Sequence, residues 1–190
     1  GDSLGVWPTQ ADALVQAVIG ALKLDANEKV EIANTSRTVS EWLGKHRELT
    51  QLTKPFLVAH AELGKNDELK RILQPEQHEE FRQLLATQQL LDVLKKYPAS
   101  WSAAELIKTL RPLTPRLYSI ASSQSVVENE VHLTLANVSY VHEGEQRWGV
   151  ASGFVSSLNE GDTLPVFIEE NTRFRLPADS ARDVIMIGPG

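Results

Sequence analysis

Arg116, Leu117, Tyr118 and Ser119 form a tetrad, Thr134, Leu135 and Ala136 follow it, and Gly149, Val150, Ala151 and Ser152 complete the set. A guanidinium offers a fixed fork of donors that matches a pyrophosphate better than an ammonium does, and hydrogen bonds to charged groups are worth roughly 1.5–3 kcal/mol. Arg116 can supply that fork. Tyr118 stands two residues on, so on an extended strand it shares Arg116's face and can wall a planar ligand. Gly149 lets backbone approach a phosphate, and Ser152 can cap the next helix. The free amides of that helix's first turn attract an anion by about 0.3–1 kcal/mol. Together these groups suit a ligand joining a planar ring system to a pyrophosphate, as in a flavin dinucleotide. They sum to a few kcal/mol, whereas micromolar to nanomolar binding needs roughly 8–12 kcal/mol, so buried ring area must supply the rest.

Each piece alone also reads as ordinary structure. Arg-x-Tyr-Ser suits an edge strand, Gly-x-x-Ser a helix start, and the alternation of Val131, Leu133 and Leu135 with His132, Thr134 and Ala136 a half-buried strand. Order and spacing carry the signal. Strict alternation points Ser119 away from Arg116 and Tyr118, which calls for a strand end, a bulge or strong twist.

The elements that must position these residues fall into two kinds. Thr9-x-x-Asp12 reads as a capping box opening a helix striped with Leu14, Val18 and Leu22, in which Gly20 costs about 1 kcal/mol relative to alanine unless packing compensates. Val30 and Ile32 suggest a short strand, and Thr38-x-x-Glu41 opens a second helix carrying Trp42 and Leu43. Helical patterning continues to Arg111, punctuated by Pro55, Pro75 and Pro98, with Ser102-x-x-Glu105 capping the last helix. Pro112 and Pro115 break that phase, and strands begin at Arg116. Residues 138–140 and 146–148 flank Gly144 as a strand pair, Pro165 favours a strand start or an edge, and Val184–Ile187 reads as a buried parallel strand entering Gly188-Pro189-Gly190.

The 190 residues are 42% hydrophobic, enough for a sizeable core in one or two domains. A net charge of −6 argues against general nucleic-acid binding. Without cysteine the chain has no disulfide, thiolate zinc site or iron–sulfur ligation of its own, and a cytoplasmic location is compatible. No apolar run is long enough to cross a bilayer, so no membrane role is expected. The five histidines show no metal-ligand spacing, no Gly-x-Ser-x-Gly elbow occurs, and Glu169 and Glu170 point to opposite strand faces. No metal and no catalytic side chain are expected.

Leu113-Thr-Pro-Arg-Leu-Tyr-Ser-Ile-Ala-Ser-Ser123 and Phe167-Ile-Glu-Glu-Asn-Thr-Arg-Phe-Arg-Leu-Pro177 resemble the ferredoxin-reductase-like flavin module of the diflavin reductases, most closely the flavoproteins of NADPH-dependent sulfite reduction. The similarity covers nearly the whole chain. It implies an α+β fold in which a partial antiparallel β-barrel (1–33 and 115–182, with strands missing before Gly1) carries an inserted all-helical connecting domain (34–114), while 183–190 begin a truncated NADPH-binding domain. It implies FAD as the cofactor. The residue matching Arg116 binds its phosphate, that matching Tyr118 stacks on the isoalloxazine and that matching Ser119 approaches N5, with Leu117 between them. Thr134, Leu135 and Ala136 would lie along the flavin, Tyr140 near the adenosine half, and Gly149, Val150, Ala151 and Ser152 at the phosphates, with Thr53 as a loosely aligned further contact. FMN and NADPH would belong to the parent outside this chain, with its FMN-binding and NADPH-binding domains and a sulfite reductase haemoprotein subunit as partners. The resemblance also implies that this chain alone oxidises little or no NADPH. A P450-reductase-like parent, or a helical interaction module that no longer holds flavin, are the alternatives.

Overall fold

From the N-terminus run β1 (Ser3–Val6), α1 (Asp12–Leu22), β2 (Lys29–Ile32) and β3 (Thr35–Thr38). Helix α2 (Val39–Glu41) passes into a π-helical turn at Trp42–His46, followed by α3 (Lys54–Leu63), α4 (Asp67–Ile72), α5 (His78–Thr87), α6 (Leu90–Lys96) and α7 (Ala103–Thr109). The chain then forms β4 (Arg116–Ser119), α8 (Gln124–Val127), β5 (Ser139–His142), β6 (Glu145–Trp148), α9 (Val150–Ser156) and β7 (Val166–Glu169). This is a computed structural model that describes residues 1–188. No described helix is long and apolar enough to cross a membrane.

β1 is the centre of an antiparallel sheet ordered β4-β1-β7. Its ladder is regular: Leu4 stands opposite Tyr118 and Ile168, and Val6 opposite Arg116 and Val166. Gly5 is required here, because a Cβ would come within 2.3 Å of the Phe167 ring. Pro165, just ahead of the edge strand β7, accepts the Trp7 amide at 3.1 Å and leaves no ladder donor missing. The expected β5–β6 pair closes through Glu143 and Gly144, both at positive φ (48° and 80°), as a tight hairpin turn prefers.

Apolar stripes of α1 and α3–α7 form one core with β2. Leu43, Leu57, Leu69, Leu90, Val93, Leu106 and Ile107 are buried there with Val15, Val18, Ile19 and Val30. The helical core therefore takes in α1 and β2, which the resemblance groups with the barrel strands. Thr38 and Ser102 cap their helices as expected, accepting the Glu41 and Glu105 amides at 3.2 and 3.3 Å.

Four expectations are corrected. The Thr9 capping box does not form: α1 starts at Asp12 after Ala11, because the Gln10 amide and side chain are bound to Gly44 and Arg47 carbonyls, drawing the chain away. The expected stripe of α1 does face the core, with Val18 buried beside Val15 and Ile19 and with Leu14 and Leu22 packed partly buried against it, but Gly20 is exposed with nothing within 4 Å of a built Cβ, so no packing compensates it. Residues 131–136 form no ladder, only the bridge between Ile120 and Leu133. Val184–Ile187 is unpaired and largely exposed, since no described strand lies beside it to take its backbone groups, while Pro189 and Gly190 fall outside the described residues.

Candidate functional site

Alternation along β4 puts Arg116 and Tyr118 on one face of the sheet, beside Leu4 and Val6. Ser119 points the other way, but it is the last residue of the strand, where the chain is released toward Ile120. The Arg116 guanidinium donates to Thr114 Oγ1 at 3.0 Å and lies 3.5 Å from Glu48 Oε2. Arg111 approaches the same oxygen at 3.8 Å. Glu48 is buried, and its Oε1 accepts the Thr50 amide and hydroxyl at 2.7 and 2.8 Å, while Oε2 accepts no hydrogen bond. Burial pushes the Tyr118 phenol up, against the pull of the nearby Arg116 charge.

The Ile120–Leu133 bridge carries the end of β4 alongside residues 133–137. There Thr134, Leu135 and Ala136 line a cavity of about 420 Å³ with Ser152, Val155 and Ser156 of α9. Gly149, not Ser152, is the cap residue of α9. Ser152 lies inside the first turn, where its hydroxyl accepts the Val138 amide at 3.1 Å and so cannot serve as the cap. Gly149 donates to the Val138 carbonyl at 2.9 Å, and a Cβ on it would stand 3.1 Å from that of Val138. The first intrahelical bond runs from Gly153 to Gly149, so the buried residues Val150, Ala151 and Ser152 present amides that have no hydrogen-bond partner among the described residues.

A second cavity, of about 750 Å³, lies on the other side of α9, between it and α1, and includes Gly149, Val150, Trp148, Arg147 and Gln89. Tyr140 faces the same way as Arg147, its partner across the hairpin. Burial raises its phenol, partly countered by a hydrogen bond from Gln89. Thr53 caps α3, accepting the Phe56 amide at 3.4 Å, and shares a small crevice with Glu48 and Arg111.

The structure thus brings Thr134–Ala136 together with Ser152, and Gly149 and Val150 together with the hairpin. It does not bring Arg116–Ser119 into either cavity, and Thr53 is joined to Arg116 only through Glu48. Glu48, Gln89, Asp92 and Arg147 were not found from sequence, since the links to Arg116 and Trp148 and between Asp92 and Arg147 join distant parts of the chain, although Gln89 and Asp92 also meet locally in a capping box. The partnerless amides of the Gly149–Ser152 turn suit a phosphate, and the Arg116 guanidinium, whose carboxylate neighbour is not hydrogen-bonded to it, offers a second anion-binding group away from both cavities.

A modular FAD-binding fold accounts for this combination of sheet, turn and cavity, and residues 1–154 match the family model described as FAD binding domain; the chain belongs to that family. Over its whole length it is 45% identical to a sulfite reductase [NADPH] flavoprotein alpha-component of Shewanella sp. (strain MR-4), covering 32% of that protein. Proteins of the same description from Vibrio cholerae serotype O1 and Neisseria meningitidis serogroup B are 41% and 40% identical, again over all of this chain and 31% of theirs. The chain spans about a third of the length of these curated relatives. FAD is the cofactor of the family.

Proposed function

We propose that this chain holds FAD within a flavoprotein that carries electrons from NADPH, through FAD and FMN, to a sulfite-reducing haemoprotein. What carries the reading is the meeting of Thr134–Ala136 and Ser152 at one cavity, next to a turn whose three amides have no partner among the described residues. Bound FAD supplies the exchange between two-electron and one-electron chemistry.

The residues of the chain bind and orient it. Arg116 and the Gly149–Ser152 turn hold the phosphates, Tyr118 covers one face of the ring with Leu117 behind it, and Ser119 stands at the strand end near N5. Thr134, Leu135 and Ala136 run along the ring, Tyr140 meets the adenosine half, and Thr53 contributes from the helical side. Residues 34–114 act as a connecting domain that sets the position of the neighbouring FMN-binding domain. The 40–45% identity to sulfite reductase flavoproteins supports this choice of acceptor over a P450-reductase-like one.

Titration of the purified chain with FAD, followed by quenching of flavin fluorescence, tests the reading. We expect saturable binding that weakens in Tyr118→Ala and in Gly149→Ala, whose new methyl would crowd Val138. Absence of binding, or affinity unchanged from the parent in both variants, would remove the assignment.

A further inference from the structure

The residues just ahead of the Gly149–Ser152 turn are gripped by the helical body through Asp92 and Gln89, neither of which is among the residues proposed to bind FAD. Arg147 Nε donates to both carboxylate oxygens of Asp92 at 3.1 Å, and its Nη2 donates to Oδ1 as well. Asp92 sits at the start of α6, and its Oδ2 also accepts the Gln89 amide at 2.8 Å in a reciprocal capping box. The Gln89 side chain in turn donates to the Trp148 carbonyl at 2.9 Å. Both residues of the cap are buried. Burial alone pushes the Asp92 carboxyl up, and the bonds from Arg147 and from the Gln89 amide outweigh it, leaving the carboxyl below its ordinary value.

Two consecutive residues of β6 are therefore fixed from α6, one by its side chain and one by its backbone, immediately before Gly149. On its other side the turn is held to Val138 by Gly149 and Ser152. A planar fork on a carboxylate fixes direction as well as distance, so movement of Asp92 would be transmitted within two residues to the amides of the turn.

We propose that Asp92, with Gln89, is a positioning residue for dinucleotide binding: the helical body sets the orientation of the phosphate turn through Arg147 and Trp148 without touching the ligand. This rests on the reading of the Gly149–Ser152 turn as the phosphate site. The alignment matters because amides bind an anion only when aimed at it, and a site loosened by about 1 Å loses much of its function.

The test compares FAD with riboflavin, which has the ring but no phosphate, on the full chain and on Asp92→Asn. The expected result is FAD affinity lowered by about tenfold, equivalent to roughly 1.4 kcal/mol, with riboflavin affinity unchanged within about twofold. Arg147→Lys, which keeps the charge but loses the fork, should lower FAD affinity in the same selective way, and it serves should Asp92→Asn not fold. Equal losses for both ligands would reduce the clamp to general scaffolding and overturn the proposal, as would unchanged FAD affinity. If the unaltered chain bound neither ligand, the phosphate-site reading itself would fail and take this inference with it. Riboflavin binding without an FAD advantage would do the same.

Discussion

Asp92 and Glu48 are both buried carboxylates of the helical body, and each faces an arginine from a strand, yet the two joints are built differently. Asp92 receives a forked set of bonds from Arg147 and a further bond from its own helix cap, so every approach to it is a hydrogen bond. Glu48 spends Oε1 on Thr50 and offers Oε2 to Arg111 and Arg116 at 3.8 and 3.5 Å, beyond hydrogen-bonding reach. A forked, satisfied pair holds geometry. An unsatisfied carboxylate near two guanidiniums balances part of their charge and leaves their donors available. In the proposed site the first arrangement suits the joint that aims a turn, and the second suits an arginine that must turn to a phosphate.

The largest expected effect comes from breaking the satisfied joint. Asp92→Ala strands the largely buried Arg147 and uncaps α6, and removing one partner of a buried pair costs about 3 kcal/mol or more. The urea midpoint should fall accordingly. An unfolding free energy within about 0.5 kcal/mol of the parent's, the usual range for surface substitutions, would show that the joint does not hold the hairpin.

Acid should separate the two bodies before it reaches the clamp. His60, inside the helical core, donates from Nε2 to the Tyr97 carbonyl at 2.5 Å and accepts the Trp101 indole N–H on Nδ1 at 2.9 Å. A carbonyl can only accept and an indole can only donate, so the ring is neutral in the fold. Burial holds His60 below its ordinary value, with the Tyr97 bond acting the other way. The unfolded chain takes up this proton near pH 6.5 while the folded chain does not, so stability is full above that pH and declines as pH falls toward the lowered folded value, by up to about 1.4 kcal/mol per unit. Asp92 is also depressed, so its contribution persists above the ordinary carboxylate range and is lost only in stronger acid. Urea midpoints at pH 7.5 and 5.5 should differ in the parent and differ less in His60→Gln, where His46, also held below its ordinary value by burial, still contributes. No difference in the parent would mean that the imidazole is not held neutral.

Glu48→Gln tests the looser joint. The amide can still accept from Thr50 while its NH₂ turns a donor toward two guanidiniums, a mismatch worth about 1 kcal/mol. With the negative charge gone, Arg116 attracts phosphate more strongly, so FAD affinity should be equal or tighter, opposite in direction to Asp92→Asn. A tenfold weakening in Glu48→Gln would instead make Glu48 a second clamp.

These joints also mark where sequence reading stops. Thr38 and Ser102 were legible as caps because a hydroxyl satisfies an amide three residues away, and the β5–β6 hairpin was legible because Gly144 tolerates the positive φ its turn demands. The equivalent turn of the β2–β3 hairpin uses Ala33 and Asn34 at φ of 50° and 62°, and alanine gives no such signal. Segment 134–136 reads as a strand from its alternation, yet it forms no ladder, and its place in a cavity wall depends on α9 folding against it. Arg147 meets Asp92 across 55 residues, and neither has a neighbour that hints at the other. Local physics writes caps, turns and strands into short windows. The polar contacts that tie the two bodies together arise only once the core has formed.

Gly20→Ala carries the smallest effect and removes a remaining ambiguity. Gly20 lies near the end of α1, and a Cβ there meets nothing within 4 Å, so the substitution changes helix propensity and little else. Alanine should stabilise by about 0.5–1 kcal/mol, read from the urea midpoint. Because α1 packs in the core with α6, the gain firms the helical body as a whole. If FAD affinity depended on the general stability of that body, it would rise with Gly20→Ala. If it depends on the direction in which Asp92 holds Arg147, affinity stays at the parent's value while stability rises, so coupled increases in the two would count against the distinction between the joints.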